Sequence, residues 1–202
     1  MAEEFEMPED FAGGGYVDAP CTVHAVVVEV KESQGPKGGV IDGNTFVLHV
    51  LAATDPNQVG RQHTECMFNP NLSNKDGGMF TRKQLAAFYI ACNLVDPSQR
   101  GKRVALDVTK AQDQQMILKL SRDDYNSNKK GYDIYSLDGL QVFHVDDPRV
   151  ASIPKDADAI KLIPAEKRHD AAWFEQFKPK GESASTPAQR QPVGAGVNLD
   201  DL

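Results

Sequence analysis

The chain has 202 residues, of which 40% are hydrophobic, 25% charged and 7% aromatic, and its formal net charge is −7. That length suits one domain with tails, or two very small domains. The overall acidity does not announce a nucleic-acid binder, and the longest apolar run, Leu85 to Cys92, is far short of the ~20 residues that cross a bilayer. No hydrophobic segment follows the acidic N-terminus, as a secretory signal would require. Three widely spaced cysteines cannot all pair, which leads us to expect free, buried thiols in a reducing compartment.

The charge is unevenly placed. Residues 1–19 hold six acids and no lysine or arginine, residues 20–150 are neutral with fifteen groups of each sign, and residues 151–202 are net −1. The first segment, with Gly13-Gly14-Gly15, reads as a flexible acidic arm. Cys21–Lys31 is valine-rich and reads as a buried strand. A Gly/Pro stretch around Gly35-Pro36-Lys37 follows. Thr45–Ala53 alternates as a second strand, with Phe46, Leu48 and Val50 on one face, and Arg61–Phe68 is a third.

Thr81 and Gln84 have capping-box spacing, and Leu85, Phe88, Tyr89 and Cys92 mark one buried face of a helix that ends by Asp96-Pro97. Strand character returns in Arg103–Val108, Met116–Leu120, Tyr132–Ser136 and Gln141–Val145. These are joined by Asp113-Gln114, a long polar loop Asp123–Gly131, and a turn at Asp138-Gly139. The expected architecture is mainly β. It is an OB-fold-like small barrel over residues 20–150, with one helix between strands 3 and 4 and an extra hairpin. An α+β sheet with one covering helix is the generic alternative. Beyond it, residues 151–178 form a C-terminal extension with a short helix, Ala165–Phe177, that places His169, Trp173 and Phe177 on one face. Residues 179–202 read as a disordered linker and acidic tip.

Catalytic patterns are missing. There is no phosphate-cradling loop, no nucleophile elbow, and the paired acids sit where solvated turn formers belong. Cys21/His24 and His63/Cys66 supply four zinc-type ligands, but residues three apart on a strand point to opposite faces. We therefore expect packed thiols and histidines, with no metal, cofactor or catalytic residue.

The region Lys119 to Tyr135 combines cations with aromatic rings, the composition that holds unpaired strands. Lys31, Lys37, Lys102, Arg103, Lys119, Arg122, Lys129 and Lys130 are the candidate phosphate contacts, and Tyr125, Tyr132 and Tyr135 the candidate stacking rings. Asn126-Ser127-Asn128 reads as a flexible centre that would let Lys129 and Lys130 reach a backbone. The same lysines also suit an ordinary hairpin tip that guards a sheet edge. The acidic arm is a candidate competitor for such a groove. A partner-binding set is Trp173, Phe177, Leu199, Asp200, Asp201 and Leu202, the last four a short acidic-hydrophobic terminus on a linker. Without nucleic-acid binding, that set would make the chain a protein-interaction adaptor.

Over residues 14–150 the chain resembles the phage-type family of OB-fold single-stranded-DNA-binding proteins of replication and recombination. The resemblance rests on Gly13-Gly14-Gly15-Tyr16, Gly43-Asn44-Thr45-Phe46, Leu85-Ala86-Ala87-Phe88, Gly101-Lys102-Arg103-Val104 and Gly131-Tyr132-Asp133-Ile134. The linker and tip are similar to the acidic tails of bacterial single-stranded-DNA-binding proteins. They depart from them in having two acids and ending in Leu202, where those tails end in a phenylalanine after a proline. The resemblance implies non-catalytic coating and protection of single-stranded DNA in a host cytoplasm, with replication or recombination proteins recruited through the tip.

Overall fold

The computed structural model describes residues 15–34, 40–68, 75–99, 102, 104 and 107–176. Five strands form one antiparallel sheet: β1 (Cys21–Gln34), β2 (Val40–Ala53), β3 (Gln62–Phe68), β4 (Gln115–Arg122) and β5 (Tyr135–His144). Their order across the sheet is β3-β2-β1-β4-β5. The edge strands β3 and β5 meet, because Leu137 on β5 donates its N–H to the Glu65 carboxylate on β3 at 3.0 Å. Edges that touch require a curled sheet. Three register shifts in the β1–β2 ladder, at His24/Ala25, Val27/Glu29 and Glu32/Ser33, supply local bends of the kind that bulges produce.

Alternation along the strands builds the core. Val23, Ala25 and Val27 of β1, Phe46, Leu48 and Val50 of β2, and Met116, Leu118 and Leu120 of β4 all enter one buried cluster. Helix α1 (Lys75–Ala91) lies in the chain between β3 and β4 and packs chiefly on β5. It contributes Leu85 and Phe88, with Cys92 just beyond its end. The Phe88 and Phe46 rings lie 4.6 Å apart between centroids. Burial raises the thiol pKa of Cys92, and of Cys21 to about 11, so both are apolar packing groups.

Five expectations are corrected. Thr81 does not cap α1, because the helix begins six residues earlier and runs through Gly77-Gly78. The segments expected as Tyr132–Ser136 and Gln141–Val145 belong to one strand, not an extra hairpin. Gly139, at φ +60°, supplies the conformation a turn needs but serves a bulge instead. Opposite the single residue Lys119, β5 carries four residues, 138–141, between its pairings to Leu118 and Leu120. The polar segment Asp123–Gly131 is not a loop but contains helix α2 (Asp124–Lys130). Of the strand expected over 103–108, Val104 is irregular and Val108 opens a short 3-10 turn; residues 103, 105 and 106 lie outside the described residues. After β5 the chain forms α3 (Ala157–Lys161) and α4 (Ala171–Glu175); the single helix expected over Ala165–Phe177 is broken, because Ala165–Lys167 is a 3-10 turn, Arg168 is extended and Asp170 caps a separate α4. Among the described residues no helix is long and apolar enough to cross a membrane.

Candidate functional site

The segment joining β4 to β5 is positioned by caps at both ends of α2. The Asp123 carboxylate accepts the Asn126 backbone N–H at 3.0 Å and the Asn126 Nδ2 at 2.7 Å. These bonds, the backbone one foremost, hold the Asp123 carboxyl below the usual carboxylate range. At the other end Gly131, at φ +79°, takes the left-handed conformation that lets a helix stop. Ser127 is buried, and its Oγ accepts the Ile134 N–H at 2.9 Å. The segment expected to flex is therefore a capped helix fastened to the start of β5.

This helix places Tyr125 and Lys129 one turn apart, with Lys129 Nζ 5.9 Å from the Tyr125 ring centroid, a cation–π contact at i,i+4 spacing. Tyr125 and Tyr132 are 74% and 61% exposed, the Tyr125 ring having Lys129 over one face. Tyr135 is half-buried against the core cluster. A cleft of about 250 Å³ opens beside Tyr132 and Tyr135, with Tyr16, Val17, His63 and Lys130 also in its wall.

Tyr16 was not among the sequence candidates, because residues 1–19 read as a flexible arm. Residues 15–18 are instead bound to the sheet. Val17 donates to the Gln62 carbonyl at 2.9 Å, and Gln62 donates to the Gly15 carbonyl at 3.0 Å. Arg61 reaches the Tyr16 carbonyl at 3.0 Å and the Asp18 carboxylate at 2.6 Å. The one available signal was an aromatic residue directly after three glycines, at the entrance to a valine-rich strand.

The candidate cations do not all face outward unopposed. Lys31 pairs with Glu29 at 3.1 Å, and Lys119 with Asp138 at 2.7 Å. Arg122 is held by Asp133 at 2.7 Å and by Asp124. Its hydrogen bonds to Asp133 first, then Asp124, raise the guanidinium above its ordinary pKa. Lys129 and Lys130 have no ion pair among the described residues, and Lys102 is exposed. Lys37 and Arg103 lie outside the described residues. So do Phe177, Leu199, Asp200, Asp201 and Leu202 of the partner-binding set. Trp173 stacks on His169, with centroids 3.9 Å apart and planes 7° from parallel.

The cysteine–histidine pairs separate as strand alternation requires. Cys21 joins the core while His24, three residues on, bonds Gln115. His63 is buried against Glu65 while Cys66 is exposed. Among the described residues no group of three or more possible ligands gathers around a metal-sized space. Compared with known proteins, the chain matches no family model, and no curated protein is significantly similar to it.

Proposed function

We propose that this protein binds single-stranded DNA without catalysis, on an OB-like barrel whose edges β3 and β5 are bridged by Glu65 and Leu137. The strand order β3-β2-β1-β4-β5 supports the barrel reading, because closing β3 onto β5 would give the five-stranded OB circuit. The observation that carries the function is the cleft that brings exposed Tyr16 and Tyr132 together with Lys130, beside a β4–β5 connection that also carries exposed Tyr125 and Lys129. Open aromatic faces stack on bases of any identity, and neighbouring lysines neutralise phosphates. Coating and protection of strands in replication or recombination, with partners met through the C-terminal tip, is the role this reading assigns.

The test is a salt titration of binding to a labelled oligothymidine, with a duplex of equal length as control. The expected result is preference for the single strand and an affinity that falls linearly on logarithmic axes as salt rises. Changing Lys129 and Lys130 together to Glu should weaken binding and flatten that slope. Equal affinity for the duplex, or an unchanged slope in the double variant, overturns the assignment.

A further inference from the structure

The C-terminal extension is tied to the barrel through imidazoles. On β1, His24 Nδ1 accepts the Asp156 backbone N–H at 3.1 Å, and Nε2 lies 3.0 Å from Gln115 Oε1. Gln115 Nε2 in turn donates to the Ala159 carbonyl at 2.7 Å. At the end of β5, His144 Nδ1 accepts the Asp146 N–H at 3.1 Å, and Nε2 lies 3.1 Å from the Lys167 carbonyl.

Hydrogen-bond logic fixes the protonation state of both rings. An Nδ1 that accepts a backbone N–H carries no proton, so the ring proton sits on Nε2. From there it is donated to Gln115 in one case and to the Lys167 carbonyl in the other. An imidazolium would turn each Nδ1 into a second donor facing a backbone donor. Asn93 completes the tie. It occupies the left-handed position at the end of α1, at φ +57°, and its amide lies between two rings, Nδ2 2.9 Å from His144 Nε2 and Oδ1 2.6 Å from His169 Nε2, so a proton on His144 Nε2 requires that amide to turn over and accept from it.

We propose that the extension from Asp156 to Trp173 is an acid-released clasp, closed while His24 is neutral and opened when its Nδ1 takes up a proton and displaces the Asp156 N–H, with protonation of His144 loosening the Asp146 turn that anchors Arg168.

The surrounding charges contend with one another. Asp146 Oδ2 lies 3.8 Å from His144 Nδ1 and favours its protonation, while His169 and Arg168 oppose it. Asp146 is already engaged by Arg168 at 2.6 Å and by the His169 N–H at 3.0 Å. Around His24, Asp156 favours the charged ring and Lys155 opposes it. Around His169, Asp146, Asp96 and Asp170 favour it. Burial outweighs these carboxylates at all three rings, lowering each pKa, that of His144 to about 4. A depressed folded-state pKa gives a contribution fully present above the ordinary histidine value of ~6.5. It is lost as pH falls from there toward the folded value.

Amide hydrogen exchange on the full chain, followed by NMR from pH 7.5 to 4.5, tests the clasp. The Asp146 and Asp156 amides, which donate to the two imidazoles, should lose at least about tenfold in protection factor across that range. The Leu118 and Phe46 amides of the sheet should keep theirs. Emission from Trp173, the chain's one tryptophan, should change over the same interval. The double variant H24Q/H144Q should show no such pH dependence, whether its extension is held or already open at pH 7.5. Protection that stays constant, that falls in step with the sheet's, or that keeps the wild-type pH profile in the double variant overturns the proposal.

Discussion

The Glu65 carboxylate on β3 accepts the backbone N–H of Leu137 on β5 at 3.0 Å, so one side chain spans the two free edges of the sheet. It also receives His63 Nε2 at 3.0 Å. Glu65 is mostly withdrawn from water, and a hydrogen bond to a charged acceptor is worth ~1.5–3 kcal/mol. Glu65→Ala should therefore lower stability by about 2 kcal/mol in chemical denaturation. Glu65→Gln, whose amide oxygen can still accept, should lose less. Equal losses from both would assign the effect to charge rather than to the bridge.

The caps of α2 should couple stability to the proposed strand binding. Asp123→Ala removes the N-terminal cap, which should lower stability by about 1 kcal/mol and loosen the helix that presents Tyr125 and Lys129. Affinity for oligothymidine should fall although no contacting residue has changed. Measuring thermal stability and binding on the same sample separates this outcome from a protein that has simply unfolded.

Acids that occupy cations should act as brakes. Asp133 engages Arg122 and Asp138 engages Lys119. Asp133→Asn and Asp138→Asn should each tighten strand binding at low salt. Each should also steepen the logarithmic salt slope by up to about one phosphate equivalent. A slope equal to the wild-type value in both variants would remove Arg122 and Lys119 from the interface.

Ring loss and hydroxyl loss should separate at the cleft. Tyr132→Ala and Tyr16→Ala should each cost ~1–3 kcal/mol of binding free energy if the ring stacks on a base. Tyr132→Phe and Tyr16→Phe should stay near wild type in the same fluorescence titration. Matching losses in the Phe variants would mean that the hydroxyl, not the ring face, makes the contact.

Some of this was readable in the sequence because it follows from periodicity. Phe46, Leu48 and Val50 fall on one face by alternation, and Leu85, Phe88 and Cys92 by helical spacing; all six are in the core. The opposite-face argument likewise separated Cys21 from His24. What periodicity does not report was missed. Helix α2 has no apolar stripe; it is held by the Asp123 and Gly131 caps and by the buried Ser127 hydroxyl, so it read as loop. Asp138-Gly139 has the chemistry of a turn and of a bulge alike. Tyr16 joins the cleft through backbone bonds to Gln62, and backbone pairing leaves little trace in side-chain pattern. Asp124 and Asp133 are close enough in the chain to be read as diluting the charge of Arg122, whereas the pairing of Asp138 with Lys119 follows from the register of β4 and β5.

The bulge at 138–141 bears on how crowded copies behave. A straight, unbroken outer strand is a template that another chain's backbone can extend. Here that border is interrupted by an arc of four residues whose Gly139 carbonyl already accepts Gln84 Nε2 from α1 at 3.1 Å. Along the β5 border a neighbouring chain therefore meets no continuous ladder to lengthen, and that edge carries its own guard against strand addition.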